Sequence, residues 1–227
     1  MRILFEPHFH TKETSSCAHV PAATAIAAMQ KAGYGGVAVT DHYRVFDRMF
    51  AQRAEQAWCE KIDCWAAGYR AARDAALGTD FKVICGMEIS FEGSPNDYLV
   101  YGVDPDFLKN YPELYKMTPE TFFAFAEEHG LFFAQAHPFR NYCSRANPDF
   151  LHGLEVYNGN IRHDSQNDLA LELAEKAGLR QIAGSDYHEL EDLGTGGIYL
   201  GRLPADTRDF AKMLLTGEYD GLYANKL

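Results

Sequence analysis

The chain has 227 residues, 47% of them hydrophobic, enough for one large α/β domain with a well-filled core. Its 21 basic and 32 acidic residues leave a net charge of −11, which disfavours a general DNA or RNA binder unless divalent cations gathered in one cleft reverse the local sign. An odd count of five cysteines without a CxxC pair argues against a disulfide framework, and no run approaches the roughly 18 apolar residues of a membrane span.

In chain order, strand-like and helix-like runs alternate. RILFE (2–6) is a strand stopped by Pro7. A helix follows, with Pro21 in its first turn, alanines through its body and Gly33 at its end. GVAVTDH (36–42) is a short β-branched strand, and residues 47 to about 77 are rich in Ala, Arg and Glu and form one or two helices. KVICGMEIS (82–90) and DYLVYGV (97–103) are strands. Thr118-Pro119-Glu120 opens a helix that ends near Gly130. LFFAQAH (131–137) and GLEVYNG (153–159) are strands, then SQNDLALELAEKAG (165–178) is a helix with a Gly stop. QIAGSDYH (181–188) is a strand, GGIYLG (196–201) is the candidate eighth, and ADTRDFAKMLLTG is a final helix. Seven or eight strands with helices between most of them predict a mostly parallel α/β sheet. A compact, distorted barrel is the leading architecture, with an open doubly wound sheet second. No repeat or linker divides the chain, so a single domain over 1–227 is expected, in a reducing cytoplasm and off the membrane.

The polar residues sit where those strands end. His8 and His10 follow the first strand, Asp41 and His42 the second, and Glu88 is near the end of the third. His137 closes FFAQA, and Asp186 and His188 close IAG. In a parallel barrel the C-terminal strand ends converge on one mouth. Residues i and i+2 of an extended chain share a face, so His8 with His10, and Asp186 with His188, can point inward together. One such histidine is ordinarily a hydrogen-bonded structural residue; five strand ends presenting them together is the signal. Five histidines and three acids exceed what one four-coordinate metal needs, so at least two divalent ions are expected, with Zn²⁺, Mn²⁺ and Fe²⁺ all suited to the donors.

The motifs HFHTKETSSCAH, VAVTDH, GMEIS, QAHPFR and GSDYH stand in the order used by the PHP (polymerase and histidinol phosphatase) superfamily, and the chain resembles its small stand-alone bacterial phosphoesterases from residue 5 to about 200. The resemblance implies a TIM-like, distorted (β/α)7 barrel with a two- or three-metal site at the C-terminal ends of its strands. It implies His8, His10 and Asp186 at the first metal, Glu88 bridging to the second, His137 at the second, and His42 and His188 at the third. Asp97 stands where the family often has a histidine for the second metal, which favours Mn or Fe slightly over Zn. Some members carry a further histidine after the first motif for the third metal; His19 is the candidate here, at a longer spacing.

The expected chemistry is hydrolysis of a small phosphate ester, phosphomonoester or nucleotide-like, by a metal-activated water. Arg140 and Arg162 are the candidate phosphate clamps, with Lys12 a weaker one. His163 is the candidate proton donor to the leaving oxygen, and Asp41 an orienter of a ligand histidine. Extended nucleic acid is not expected as a partner, for want of a basic stripe with interleaved aromatics. A nuclease acting on short nucleic acid ends and a non-catalytic metal-binding scaffold are the rival readings. Oligomeric state is not legible.

Overall fold

The computed structural model describes residues 2–44 and 55–225. The part of the helical expectation that falls on 47–54 lies outside the described residues. Ten strands are present among them: β1 (Ile3–Phe9), β2 (Tyr34–Val39), β3 (His42–Tyr43), β4 (Lys82–Ser90), β5 (Asp97–Tyr101), β6 (Phe132–Gln135), β7 (Gly153–Asn158), β8 (Arg180–Gly184), β9 (Gly196–Leu200) and β10 (Gly221–Ala224). The helices are α1 (Ala22–Lys31), α2 (Trp58–Trp65), α3 (Ala67–Ala75), α4 (Pro105–Asn110), α5 (Pro119–His129), α6 (Asn167–Ala177) and α7 (Thr207–Thr216). No helix among the described residues is long and apolar enough to cross a membrane.

The strands form one sheet in the order β10-β9-β1-β2-β4-β5-β6-β7-β8, with β3 added to β4 beyond the end of β2. The sheet curls until its two sides nearly meet. Phe9 at the end of β1 bridges to Tyr187 just after β8. There Tyr187 N donates to His8 O and His10 N to Tyr187 O, each at 3.1 Å. The result is a nearly closed, distorted barrel.

Its pairing is more mixed than a mostly parallel sheet. β1/β2, β2/β4, β6/β7 and β7/β8 are parallel, but β5 is antiparallel to both β4 and β6, and β9 is antiparallel to β1 and β10. Residues 91–96 between β4 and β5 are too few for a crossover, so β5 must turn back. That reversal places the N-terminal residue of β5, Asp97, at the same mouth as the C-terminal end of β4.

Alternation along the strands separates the layers. On β4, Cys85, Met87 and Ile89 face the helices, while Ile84 packs in the barrel interior and Glu88 rises on that inner side. α7 plugs the end opposite the mouth: the Phe210 ring lies 4.9 Å from Phe5 and 5.0 Å from Tyr101. The sequence signals for α5 act as read. Thr118 Oγ1 accepts from Thr121 N (3.3 Å) while Thr118 N donates to Thr121 Oγ1 (3.0 Å), and Gly130, at φ +64°, ends the helix.

Candidate metal centre

Glu88 stands at the middle of the mouth. Its Oε1 lies 3.4 Å from His8 Nε2 and 3.1 Å from His137 Nε2. Its Oε2 lies 3.3 Å from His10 Nε2 and 2.8 Å from His42 Nδ1. Asp186 Oδ1 is 3.3 Å from His8 Nε2, 3.4 Å from His10 Nε2 and 3.3 Å from His188 Nδ1. Asp97 Oδ2 is 4.0 Å from His137 Nε2. Three overlapping groups of metal-binding geometry result: His8, His10 and Glu88; Glu88, Asp97 and His137; and His10, His42 and His188. The two i, i+2 pairs do converge: His8 Nε2 and His10 Nε2 are 3.1 Å apart.

Neighbouring groups fix which face each imidazole turns to the centre. His8 Nδ1 lies 2.7 Å from Glu155 Oε1, which leaves Nε2 facing inward. Glu155 Oε2 also accepts from His137 N at 2.9 Å, so one buried acid on β7 orients two of the histidines. His10 Nδ1 is 3.1 Å from Ser15 Oγ, and that hydroxyl donates to Asp41 Oδ1 at 2.7 Å. Asp41 accepts as well from Thr11 N and Thr11 Oγ1, so it reaches a histidine through Ser15 and not directly. His137 and Asp186 hold their positions at φ +30° and +51°. A non-glycine backbone there costs of order 1–3 kcal/mol, which surrounding structure must offset.

The electrostatics call for positive charge. Burial drives the Glu88 carboxyl up, but the His42 and His8 imidazoles and hydrogen bonds from His10 and His137 outweigh it and hold Glu88 well below the usual carboxylate range. Asp186 is likewise held low, by His8, Arg140 and His188 against burial. Burial pushes His42 down to about 3 and, with His10 beside it, His188 down to about 4. Burial thus favours the neutral form of both rings, the form that donates a lone pair to a metal. Glu88 Oε2 and His42 Nδ1 are buried without a hydrogen-bond partner of proper geometry, although they face each other. Orphan atoms in a buried ring of imidazoles and carboxylates are what a metal site leaves behind, and this donor set fits more than one divalent ion.

The cavity above the centre measures 280 Å³ and is walled by His42, Glu88, Asp97, His137, Arg140, Arg162, His163, Asp186 and His188 among others. A larger cavity of 420 Å³, bordered by Tyr69, Lys82 and Asp104, contains none of the candidate residues. Arg140 is 5% exposed and its Nη2 donates to Asp186 Oδ2 (2.6 Å) and Asn158 Oδ1 (2.7 Å). Arg162 is more open and forms a two-point pair with Asp192 at 2.8 and 2.7 Å. Both guanidiniums thus reach the cavity already engaged by acids. His163 lines the rim, and burial and Arg140 lower its pKa. His19 lies apart from the three groups: its ring is 67% exposed and its Nδ1 contacts Glu189 Oε1 at 2.5 Å. Glu155 and Ser15 escaped the reading of the sequence because neither closes a strand. The available signal for Glu155 was an acid in the middle of an otherwise apolar strand.

A family model described as PHP-associated matches residues 164–217. No curated protein matches the chain. Among solved structures, a two-domain protein from Bacteroides vulgatus containing a predicted PHP-like metal-dependent phosphoesterase superposes with a TM-score of 0.71 at 16% identity, over 100% of this chain and 66% of that one. PsfC from Pseudomonas syringae superposes at 0.60 with 18% identity, over 92% and 88% of the two chains. Endonuclease Q, complexed with a 27-mer duplex carrying an abasic lesion at its active site, superposes at 0.59 with 15% identity, over 99% and 58%. The chain spans a little under two thirds of the first of these proteins. The likeness to endonuclease Q overturns the expectation that extended nucleic acid is an unlikely partner, because a protein of which 58% superposes on this chain is itself complexed with a 27-mer duplex. Net charge of the whole chain is a poor guide, because the field at the mouth is set by local groups and bound cations. The chain has the fold of the PHP-superfamily metal-dependent phosphoesterases.

Proposed function

We propose that the chain is a metal-dependent phosphoesterase that hydrolyses a small phosphate ester, phosphomonoester or nucleotide-like, at a di- or trinuclear centre. The observation that carries this reading is Glu88, one buried carboxylate within 3.4 Å of four histidines, below a cavity that Arg140 and Arg162 enter. His8, His10, Glu88 and Asp186 are the ligands at one end, His137 and Asp97 with Glu88 at the other, and His42 and His188 on the solvent side. Bound Mn²⁺, Fe²⁺ or Zn²⁺ supplies Lewis acidity and lowers the pKa of water. The protein's own groups do the rest. Glu155 and the Ser15–Asp41 pair hold the imidazoles in one tautomer. Arg140 brings a fixed positive charge to the phosphate and, through Asp186, stiffens the ligand frame. Arg162 extends that charge to the rim. In this reading His163, on the cavity rim, gives a proton to the leaving oxygen, and burial lowers its pKa. The cavity volume suits a small substrate. Five free cysteines favour a reducing compartment such as the cytoplasm.

The test is turnover of a generic aryl phosphate monoester and diester by protein reconstituted with each metal in turn. Metal-dependent release of the aryl alcohol, abolished by chelator, supports the reading; no turnover with any metal refutes it. The likeness to endonuclease Q over 99% of this chain favours a second reading, cleavage of nucleic acid. A labelled oligonucleotide incubated with the same preparations distinguishes it, by products shorter than the input.

A further inference from the structure

Cys17 has no part in the ligand set above, yet its sulfur lies 3.2 Å from His42 Nε2 and 3.1 Å from His188 Nε2. We propose that Cys17 is a metal ligand: with His42 and His188 it forms a CysHis2 face that takes a thiophilic divalent cation, Zn²⁺ or Fe²⁺, on the solvent side of the centre. The inference rests on the metal-centre reading above. On binding, the thiol proton leaves to solvent and the thiolate is the donor.

Several independent features converge on that point. His188 turns Nδ1 to the carbonyl of Asp186 at 2.8 Å, which commits its Nε2 lone pair to the sulfur side. His42 is 6% exposed, and its Nδ1 faces Glu88 Oε2 at 2.8 Å, which leaves its Nε2 to the sulfur side. A thiol has one proton, so it can satisfy only one of the two Nε2 atoms as a hydrogen-bond donor; a cation satisfies both and the sulfur together. The loop is built to hold Cys17 there. Ala18 N donates to Ser15 O, and His19 N donates to His188 O at 3.1 Å, which ties the segment after Cys17 to the very strand end that carries His188. That same tie directs His19 outward to Glu189.

The centre is then chemically polar along its length. The Cys17–His42–His188 face is soft, while Glu88, Asp97 and His137 at the far side offer two carboxylates and one imidazole. Thiolate and imidazole select Zn²⁺ or Fe²⁺, and the carboxylate-rich end accepts Mn²⁺ as well.

The test uses Co²⁺ as the probe in the full-length protein, with Cys17→Ser, Cys17→His and Cys143→Ser variants checked for folding by circular dichroism. Serine keeps a hydroxyl for hydrogen bonding but is a poor soft donor. Expected are a thiolate-to-cobalt charge-transfer band in the near ultraviolet for the wild type and Cys143→Ser, and its loss in Cys17→Ser together with one metal equivalent. Cys17→His should regain the equivalent without the band. Cobalt uptake without the band in the wild type, or a band that survives Cys17→Ser, overturns the role of Cys17 and leaves the remaining centre standing. No cobalt uptake by any of the four proteins overturns the metal centre itself, and this inference with it.

Discussion

Replacing Glu6 with Gln should flatten the pH dependence of stability between about pH 5 and pH 8. The Glu6 carboxyl is fully buried below the centre, where Oε1 accepts from His8 N at 2.8 Å and both oxygens lie 3.1 Å from Ser185 N. Burial pushes its pKa from 4.5 up to about 8, against the opposing pull of those N–H groups. Between those two values the folded protein keeps a proton that the unfolded chain has released. A raised folded-state pKa means the stability is complete below pH 4.5 and is lost as pH rises to about 8. The shift of about 3.5 units, at about 1.36 kcal/mol per unit, sets a ceiling of about 5 kcal/mol on that loss. Glutamine keeps an oxygen acceptor for the two N–H groups and has no proton to lose. The assay is urea unfolding of both proteins at four pH values across the window, with chelator present so that no cation perturbs the carboxyl. Asp41, pushed up to about 6 by burial, titrates in both proteins and cancels in the difference. The variant should gain several kcal/mol relative to the wild type as pH rises. A difference that stays constant within about 0.5 kcal/mol would show that Glu6 ionises normally, and the burial argument fails.

Three further outcomes follow from the site. Glu88→Gln should lower metal content by at least one equivalent by elemental analysis and slow aryl phosphate turnover on the order of 10²-fold; unchanged metal content would remove Glu88 from the centre. Arg140→Met leaves buried Asp186 without its 2.6 Å partner and should cost about 3–5 kcal/mol in chelator, but less once divalent metal supplies the missing charge. An equal loss in both conditions would mean that Asp186 does not face a cation. Gly68→Ala places a Cβ against the Thr11 hydroxyl and 2.5 Å from Asp41 Oδ2, where α3 crosses the loop after β1. It should destabilise the protein by about 1–3 kcal/mol in thermal or urea unfolding, and a neutral result would refute that close approach.

What the sequence determined by itself was local. Apolar runs of strand length, β-branched residues, and Pro, Thr and Gly at helix ends are short-range signals, and each acts within a few residues of the chain. That is why β4 falls at Lys82–Ser90 and α5 at Pro119–His129, as read. It is also why polar residues at strand ends could be seen before any tertiary contact was known. What the tertiary structure decided was direction and neighbourhood. The six residues before Asp97 turn β5 back on β4, and that reversal brings a strand's first residue to a mouth made of other strands' last ones. Glu155 lies 147 residues from the histidine it orients, and Cys17 lies 171 residues from His188. No period or spacing encodes such pairs, because they exist only when the barrel closes and β1 meets the end of β8. Closure, a long-range event, gathers five of the nine scattered histidines of a net acidic chain into one compact set of donors.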